Sequence, residues 1–519
     1  MSEFFRDSPF GQIVRLLTSN RVFQYPEEKA DFETPPSYGV NGASLSGEVK
    51  DAGADYEPKE TSDAAGTEAF RAVSKRSQGE KEADAEGRNA SDSSSVATDL
   101  ERQPTLSLQR TQTLPYTNER LEVERELSLA KTKSKPIVPT KTADGVVLVD
   151  WYTTDDPANP QNWSQKKKAF VAFQIDLYTF VVYCGSAIYV SSTLGVMARF
   201  GVHETEASLG LALYVLGYGL GPLLWAPMSE IPLFGRNVPY VATFGIYVIL
   251  CVPTALADNL PGLLFLRFLQ GFFGSPCLAN GGASMQDMYS FVYLPYSVAA
   301  WVSSAFAAPA LGPMLSGFAV TAKDWRWSLW EILWMAGPVF ILFFFCLPET
   351  SGNNILLRRA ARLRKHCGNE NIRSQTEIDR KDLTSSAIAF DAVIKPFEIM
   401  FKDPAVLFTN VYTALTYGIY YSFFEVFPLV YGPMYGFNLG VTGVVFTCIV
   451  VSCVLAMAIY FSYLHFDLIP DIKANGFRAQ EWRLRPALIA IFFPTIGLFI
   501  FGEFQSRADF LDMMGTLLT

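Results

Sequence analysis

The sequence predicts an all-α polytopic membrane protein of about nine transmembrane helices, and three observations predict it. From Ala169 onward, apolar stretches of about 18 to 25 residues recur, each long enough to cross a hydrocarbon core of roughly 30 Å. Half of the 519 residues are hydrophobic although residues 1–150 are plainly polar, so the apolar residues are concentrated downstream. Lysine and arginine, finally, cluster in alternate connections between those stretches, as the positive-inside rule requires of a multi-pass protein.

Residues 1–150 come first and are read as a disordered tail. A run such as Gly87-Arg88-Asn89-Ala90-Ser91-Asp92-Ser93-Ser94-Ser95 has too few large apolar groups to offset chain entropy. Near-helical spacing of Phe10, Ile13, Val14 and Leu17 marks a short amphipathic helix, either seated on a membrane or partner or transient and without a role. Thr105 and Thr113 follow arginines at kinase-accessible spacing, where phosphate charge would be regulatory. No apolar segment near Met1 forms a cleaved signal, so the first span is expected to direct insertion.

Spans are then expected near 169–190, 207–228, 238–257, 260–280, 294–320, 328–347, 405–431, 440–463 and 486–503. Lys166, Lys167 and Lys168 precede the first. Arg236 follows the second, Arg358, Arg359, Arg362, Arg364 and Lys365 follow the sixth, and Lys473, Arg478, Arg483 and Arg485 follow the eighth. The N-terminus and the even-numbered span ends are therefore assigned to the cytosol. Residues 151–350 form a first group of six spans, 351–403 a cytosolic central loop, and 404–519 a second group of about three.

Composition excludes several function classes. The formal net charge of -9 arises largely from the tail and marks no nucleic-acid face. The seven cysteines show no metal or disulfide spacing, and all but Cys367 lie in apolar spans. His203, His366 and His465 form no cluster with Cys or paired carboxylates. With no GxxxxGK[ST] phosphate loop, neither a cofactor nor direct ATP coupling is indicated, and the chain does not read as an enzyme.

Arg267 is the residue most demanding of a function, because it interrupts Leu263-Leu264-Phe265-Leu266-Arg267-Phe268-Leu269-Gln270-Gly271. An unpaired charge at bilayer depth costs roughly 3 kcal/mol on insertion scales, so such residues face a bundle interior or watery cavity. The alternative is snorkelling, but Arg267 lies about seven residues, roughly 10 Å, from the nearest helix end. The fifth span carries Ala308-Pro309-Ala310-Leu311-Gly312-Pro313-Met314-Leu315-Ser316-Gly317, where proline frees backbone groups and glycine permits close packing. Tyr178, Tyr183, Tyr189, Tyr417, Tyr420, Tyr421 and Phe424 would supply a broad aromatic cavity, although many of them must simply pack.

These residues resemble the major facilitator superfamily, and within it the fungal twelve-helix drug:proton antiporters of the benomyl and fluconazole resistance type. Glu230 with Gly235-Arg236 is similar to the family's loop signature between helices 2 and 3. Leu263, Arg267, Gln270, Gly271 and Gly274 resemble its helix 4 signature, and Gly312-Pro313 with Ser316-Gly317 its helix 5 antiporter signature. Pro232-Leu233 lengthens the loop as in that branch, while Ser316 replaces the usual glycine. Asp155-Asp156-Pro157 through Asn162-Trp163-Ser164, Asp324-Trp325-Arg326-Trp327 and Pro348-Glu349-Thr350 add to the likeness.

The resemblance implies a major facilitator fold with a six-helix N-terminal bundle and an incomplete C-terminal bundle, since about three spans follow the central loop. The chain is expected to end short of the family's last three helices and so not to complete alternating access. It also implies proton-coupled efflux of small amphiphilic drugs from a multi-pass protein of the plasma membrane, the runners-up being nutrient uptake and a non-transporting membrane protein. Arg267 would answer proton binding at a carboxylate or a backbone acceptor. Asp176 and Glu425 are the candidate titrating partners; otherwise Asp176 is an interfacial acid beside a lysine, and Glu425 lies in an outer vestibule. Glu230 and Arg236 would form a charged latch between access states, unless Arg236 only sets topology.

Overall fold

The computed structural model describes residues 2–33, 38, 136–137, 139, 145–379, 394, 397–476, 478 and 480–504. Within these, the first group of spans runs Gln165–Ala187, continued through a 3-10 turn (Ile188–Ser192) into Thr193–Phe200, then Glu204–Glu230, Asn237–Ala255, Leu260–Gly274 continued by Pro276–Met288, Leu294–Ala322 and Trp327–Cys346. The second group comprises Pro404–Tyr435, the segmented span Leu439–Asn475, and Glu481–Gly502. Ends follow local chemistry. Ser164, Asn259 and Asn438 each accept a backbone N–H of the first turn (3.3, 2.7 and 2.8 Å), and Gly201 and Gly436 close helices at φ 65° and 67°.

Eight of these helices are long and apolar enough to cross a membrane. The seventh expected span, 405–431, forms a 32-residue helix, Pro404–Tyr435, but is not among the eight. Six tyrosines, three threonines and Asn410 dilute its hydropathy, so length is met there and composition is not.

Aromatic side chains join the first bundle. Tyr178 of the first span packs against Phe244 of the third (centroids 4.3 Å) and Phe343 of the sixth (5.2 Å), and its hydroxyl donates to the Gly274 carbonyl at 2.9 Å. Tyr178, expected as a cavity residue, is fully buried in this core.

A small layer caps the basic ends of the spans. The helix Gly352–Cys367 and a parallel pair, β1 (Val147–Leu148) with β2 (Ile372–Arg373), bury Trp151, Leu356, Ala360 and Leu363. Arg359 pairs with Asp156 at 2.7 Å and Glu27 at 3.3 Å, and Arg362 reaches Glu27 at 3.1 Å. Glu27 belongs to a stretch read from sequence as a disordered tail; the short amphipathic helix expected over Phe10–Leu17 forms as Pro9–Leu17, and what departs from that reading is the helix Ser2–Asp7 and the docking of Glu27. Tertiary docking supplies what composition lacks: Phe10 meets Phe345 at 4.8 Å, and Arg15 pairs with Glu28 at 2.7 Å. Thr105 and Thr113 lie outside the described residues.

Candidate functional site

Arg267 is fully buried on the inner face of the fourth span, which presents Leu263, Arg267, Gln270, Gly271 and Gly274 at helical spacing. That face lies directly on the second span, where a Cβ on Gly271 would stand 2.1 Å from the Tyr214 carbonyl oxygen and one on Gly217 2.2 Å from that of Phe268. Close approach brings the guanidinium to backbone oxygens. Nε donates to Gly210 O (3.1 Å), Nη1 to Gly185 O (2.9 Å) and Nη2 to Ser186 O (3.1 Å). The rings of Tyr214 and Tyr189 lie 4.4 and 5.0 Å from its central carbon. Among the described residues Arg267 forms no ion pair. Its charge rests on three carbonyls and two aromatic faces.

Ser186 extends this cradle toward the seventh helix. Its hydroxyl donates to Tyr183 O at 2.6 Å and stands 3.0 Å from the Tyr421 hydroxyl, so Tyr421 is the donor of that pair. Tyr421 packs on Tyr417 (5.0 Å), whose hydroxyl lies 3.2 Å from that of Tyr218 in the second span, and Tyr218 packs on Tyr183 (5.5 Å). Tyr420 donates to Phe306 O at 2.7 Å. Thus Tyr183, Tyr417 and Tyr421 meet in one packed aromatic cluster, with their hydroxyls close together, between the first bundle and the seventh helix and next to the arginine's cradle. Tyr178 lies apart from it.

The fifth-span signature connects the same region to the eighth span. Gly312 lies against the Ile188 amide, where a Cβ would stand 2.9 Å from the nitrogen, and Gly317 lies against the Leu439 carbonyl (2.6 Å). Gly443 faces the Pro313 carbonyl from across the interface (2.5 Å). The Ser316 hydroxyl is 3.0 Å from Ile188 O, 2.8 Å from Ser191 Oγ and 3.0 Å from Gly312 O. It ties the fifth span to the 3-10 turn that directly follows the Arg267 cradle.

At the basic end, Arg236 pairs with Asp287 at 3.3 Å and donates to Ser229 Oγ at 2.8 Å. Glu349 accepts the backbone N–H groups of Arg236 and Asn237 at 3.0 and 3.1 Å. Gly235 precedes them at φ 69°, a left-handed turn with Glu349 Oε2 only 2.5 Å from the place of a Cβ. Glu230 is exposed and makes no ion pair with Arg236 here. Asp287 and Glu349 close this junction, and sequence reasoning missed Asp287. Its signal was spacing, one residue before the end of the fourth span.

The candidate acids lie apart from Arg267. Asp176 is half-buried in the first span, with a buried Oδ1 that has no hydrogen-bond partner among the described residues. Glu425 accepts from Ser208 Oγ at 3.2 Å, linking the seventh helix to the second span. Glu331 of the sixth span was overlooked; its Oε2 is also buried without a partner among the described residues.

Comparisons with known proteins show the family. The sequence model described as Major Facilitator Superfamily matches residues 175–515. The chain is 45% identical to the "MFS-type transporter pyvG" of Aspergillus violaceofuscus over 371 residues, 72% of this chain and 68% of the relative. It is 31% identical over 525 aligned residues to the "Cycloheximide resistance protein" of Candida maltosa, covering 100% of this chain and 82% of the relative. With the "Fluconazole resistance protein 1" of Saccharomyces cerevisiae it shares 39% identity over 356 residues, 68% of this chain and 64% of that one.

Proposed function

The chain belongs to the major facilitator superfamily, a family of multi-pass carriers and not of enzymes, and from that premise we propose that it exports small amphiphilic drug-like compounds by alternating access, driven by proton entry. The observation that carries this reading is the tyrosine cluster packed across the first bundle and the seventh helix beside a buried arginine. Planar or amphiphilic molecules fit such a site because ring faces give area without demanding one geometry, and hydroxyls satisfy scattered polar atoms. Two of the relatives carry cycloheximide and fluconazole resistance in their names.

Among the described residues no carboxylate pairs with Arg267, and its charge is held by neutral carbonyls whose positions depend on how the first and second spans sit. Protonation of Asp176, Glu425 or Glu331 removes a negative charge from the bundle and lowers the attraction that each exerts on the arginine. The helices carrying Gly185, Ser186 and Gly210 are then held or released by one cation. At the basic end, the Arg236–Asp287 pair and the Glu349 cap join the third, fourth and sixth spans, which move as a unit when the halves rock. The seventh helix meets the first bundle between Tyr417 and Tyr431, while residues 404–416 are largely exposed, as suits a cavity opening toward the basic face.

The driving force suffices: one proton yields about 1.4 kcal/mol per pH unit and roughly 2.3 kcal/mol per 100 mV. The plasma membrane, with its inward proton gradient, is the proposed location. The test is efflux of a fluorescent drug-like dye from yeast lacking its own exporters. Expected are faster efflux than vector, collapse with a protonophore, and loss in Arg267→Ala at equal membrane abundance. Increased dye accumulation would instead mark uptake, and efflux equal to vector would remove transport by this chain.

A further inference from the structure

The helix Pro9–Leu17 is built inside out for a soluble contact. Its polar side faces the protein: Gly11 and Arg15 are buried, with Arg15 bonded to Glu28 through both terminal nitrogens (2.8 and 2.7 Å) and to Phe23 O at 2.7 Å. Its apolar side faces outward. At 100° per residue, Leu16, Ile13, Leu17 and Phe10 form one continuous arc, and Leu16, Ile13 and Leu17 are 80%, 46% and 78% exposed. Left in water, that arc contributes nothing by burial.

What adjoins the arc identifies what covers it. Phe10 packs on Phe344 and Phe345 (6.2 and 4.8 Å), which lie in the last turn of the sixth span, before its end at Cys346. The preceding helix marks a similar level at the first span, where Phe4 meets Phe170 at 5.9 Å in the first turns after Gln165. Span ends of this kind coincide with the edge of the hydrocarbon core, and both ends lie on the face that the positive-charge rule assigns to the cytosol. A short helix lying there with its apolar side outward has the geometry of an interfacial helix sunk roughly 5–10 Å below the headgroups.

We infer that residues 9–17 form an in-plane membrane anchor whose occupant is the lipid of the cytosolic leaflet, with Leu16 and Leu17 among the acyl chains. The anchor seats the Arg15–Glu28 pair and the Glu27 contacts to Arg359 and Arg362, so that the start of the chain, the membrane surface and the helix after the sixth span are held together. Transport is not part of this inference.

The test is photo-crosslinking of the full chain in yeast membranes, with benzoylphenylalanine placed singly at Leu16, Leu17 and, as control, exposed Asn20. The expected result is a gain of phospholipid mass at positions 16 and 17 and none at 20. Adducts at 16 and 17 to another protein or to the chain itself, lipid adducts equally at 20, or no lipid adduct at 16 and 17 would each overturn it. Leu16→Glu/Leu17→Glu supplies a second readout: in sealed vesicles with the cytosolic face outward, trypsin should cut after Arg21 and Lys29 faster than in the unaltered chain. Unchanged cutting counts against the anchor.

Discussion

Arg267 stands out in sequence because a cation interrupts an apolar run, and the rule that intramembrane charges are functional needs nothing more. Its partners were not legible, since Gly185, Ser186 and Gly210 bind through carbonyls that every residue carries. Glu331 is the converse case: the same rule applied to Trp330-Glu331-Ile332 would have found it. Because the three carbonyls fan around a planar fork, Arg267→Lys should retain charge yet lose at least one bond to a charged group, about 1.5–3 kcal/mol. Dye efflux at equal abundance should fall about tenfold or more. Ser316→Ala removes the tie to Ile188 and Ser191 and should cost about 1 kcal/mol in thermal unfolding. Ser316→Gly, which restores the glycine of the antiporter signature, should cost slightly more, as glycine adds its own backbone penalty.

Span starts were readable to within about five residues because hydropathy and capping residues agree there, and Asn259 and Asn438 both cap where the apolar runs begin; the first, fourth and eighth spans run on past their expected ends, to Phe200, Met288 and Asn475. The 3-10 turn Ile188–Ser192 was not readable. No proline or glycine marks it, and its cause is tertiary, in the Ser316 and Pro313 contacts of another helix. Gly312-Pro313 and Ser316-Gly317 were legible as a motif, but their packing partner in the eighth span was not. Gly443→Val should place side-chain atoms against the Pro313 carbonyl, 2.5 Å from the Cβ position, and separate the fifth and eighth spans. The expected outcome is a protein present in the membrane at near-normal level whose efflux is lost, checked by dye efflux against immunoblot.

At the scale of the molecule, composition alone separates a polar start from the run of apolar spans that follows it. The helix at Phe10–Leu17 was legible from spacing, but its docking was not, because Phe4, Phe10 and Arg15 are held by Phe170, Phe345 and Glu28, partners that no local pattern announces. Burial pushes the Glu28 carboxyl up, but the Arg15 hydrogen bonds, the Tyr25 N–H and the charges of Arg15 and Arg362 outweigh it and hold the group below its usual range. A depressed carboxylate stabilises above its unfolded value, about 4.3, and that contribution is lost as pH falls through the lower folded value. Hydrogen exchange of residues 9–28, corrected for intrinsic rate, should therefore show constant protection from pH 8 to about 5 and declining protection below about 4. Arg15→Met should weaken protection at neutral pH and flatten that dependence.

The cradle of Arg267 has an electrical consequence. Its compensating groups are dipoles fixed to the first and second spans, so among the described residues no ion-pair partner moves with the guanidinium when the fourth span shifts along the membrane normal. Such a shift carries net charge through the transmembrane field, and each full elementary charge moved across 100 mV is worth roughly 2.3 kcal/mol. A voltage step applied to membranes rich in this protein should evoke a transient displacement current, absent in Arg267→Gln. The fourth span would then act as a voltmeter as well as a wall of the cavity.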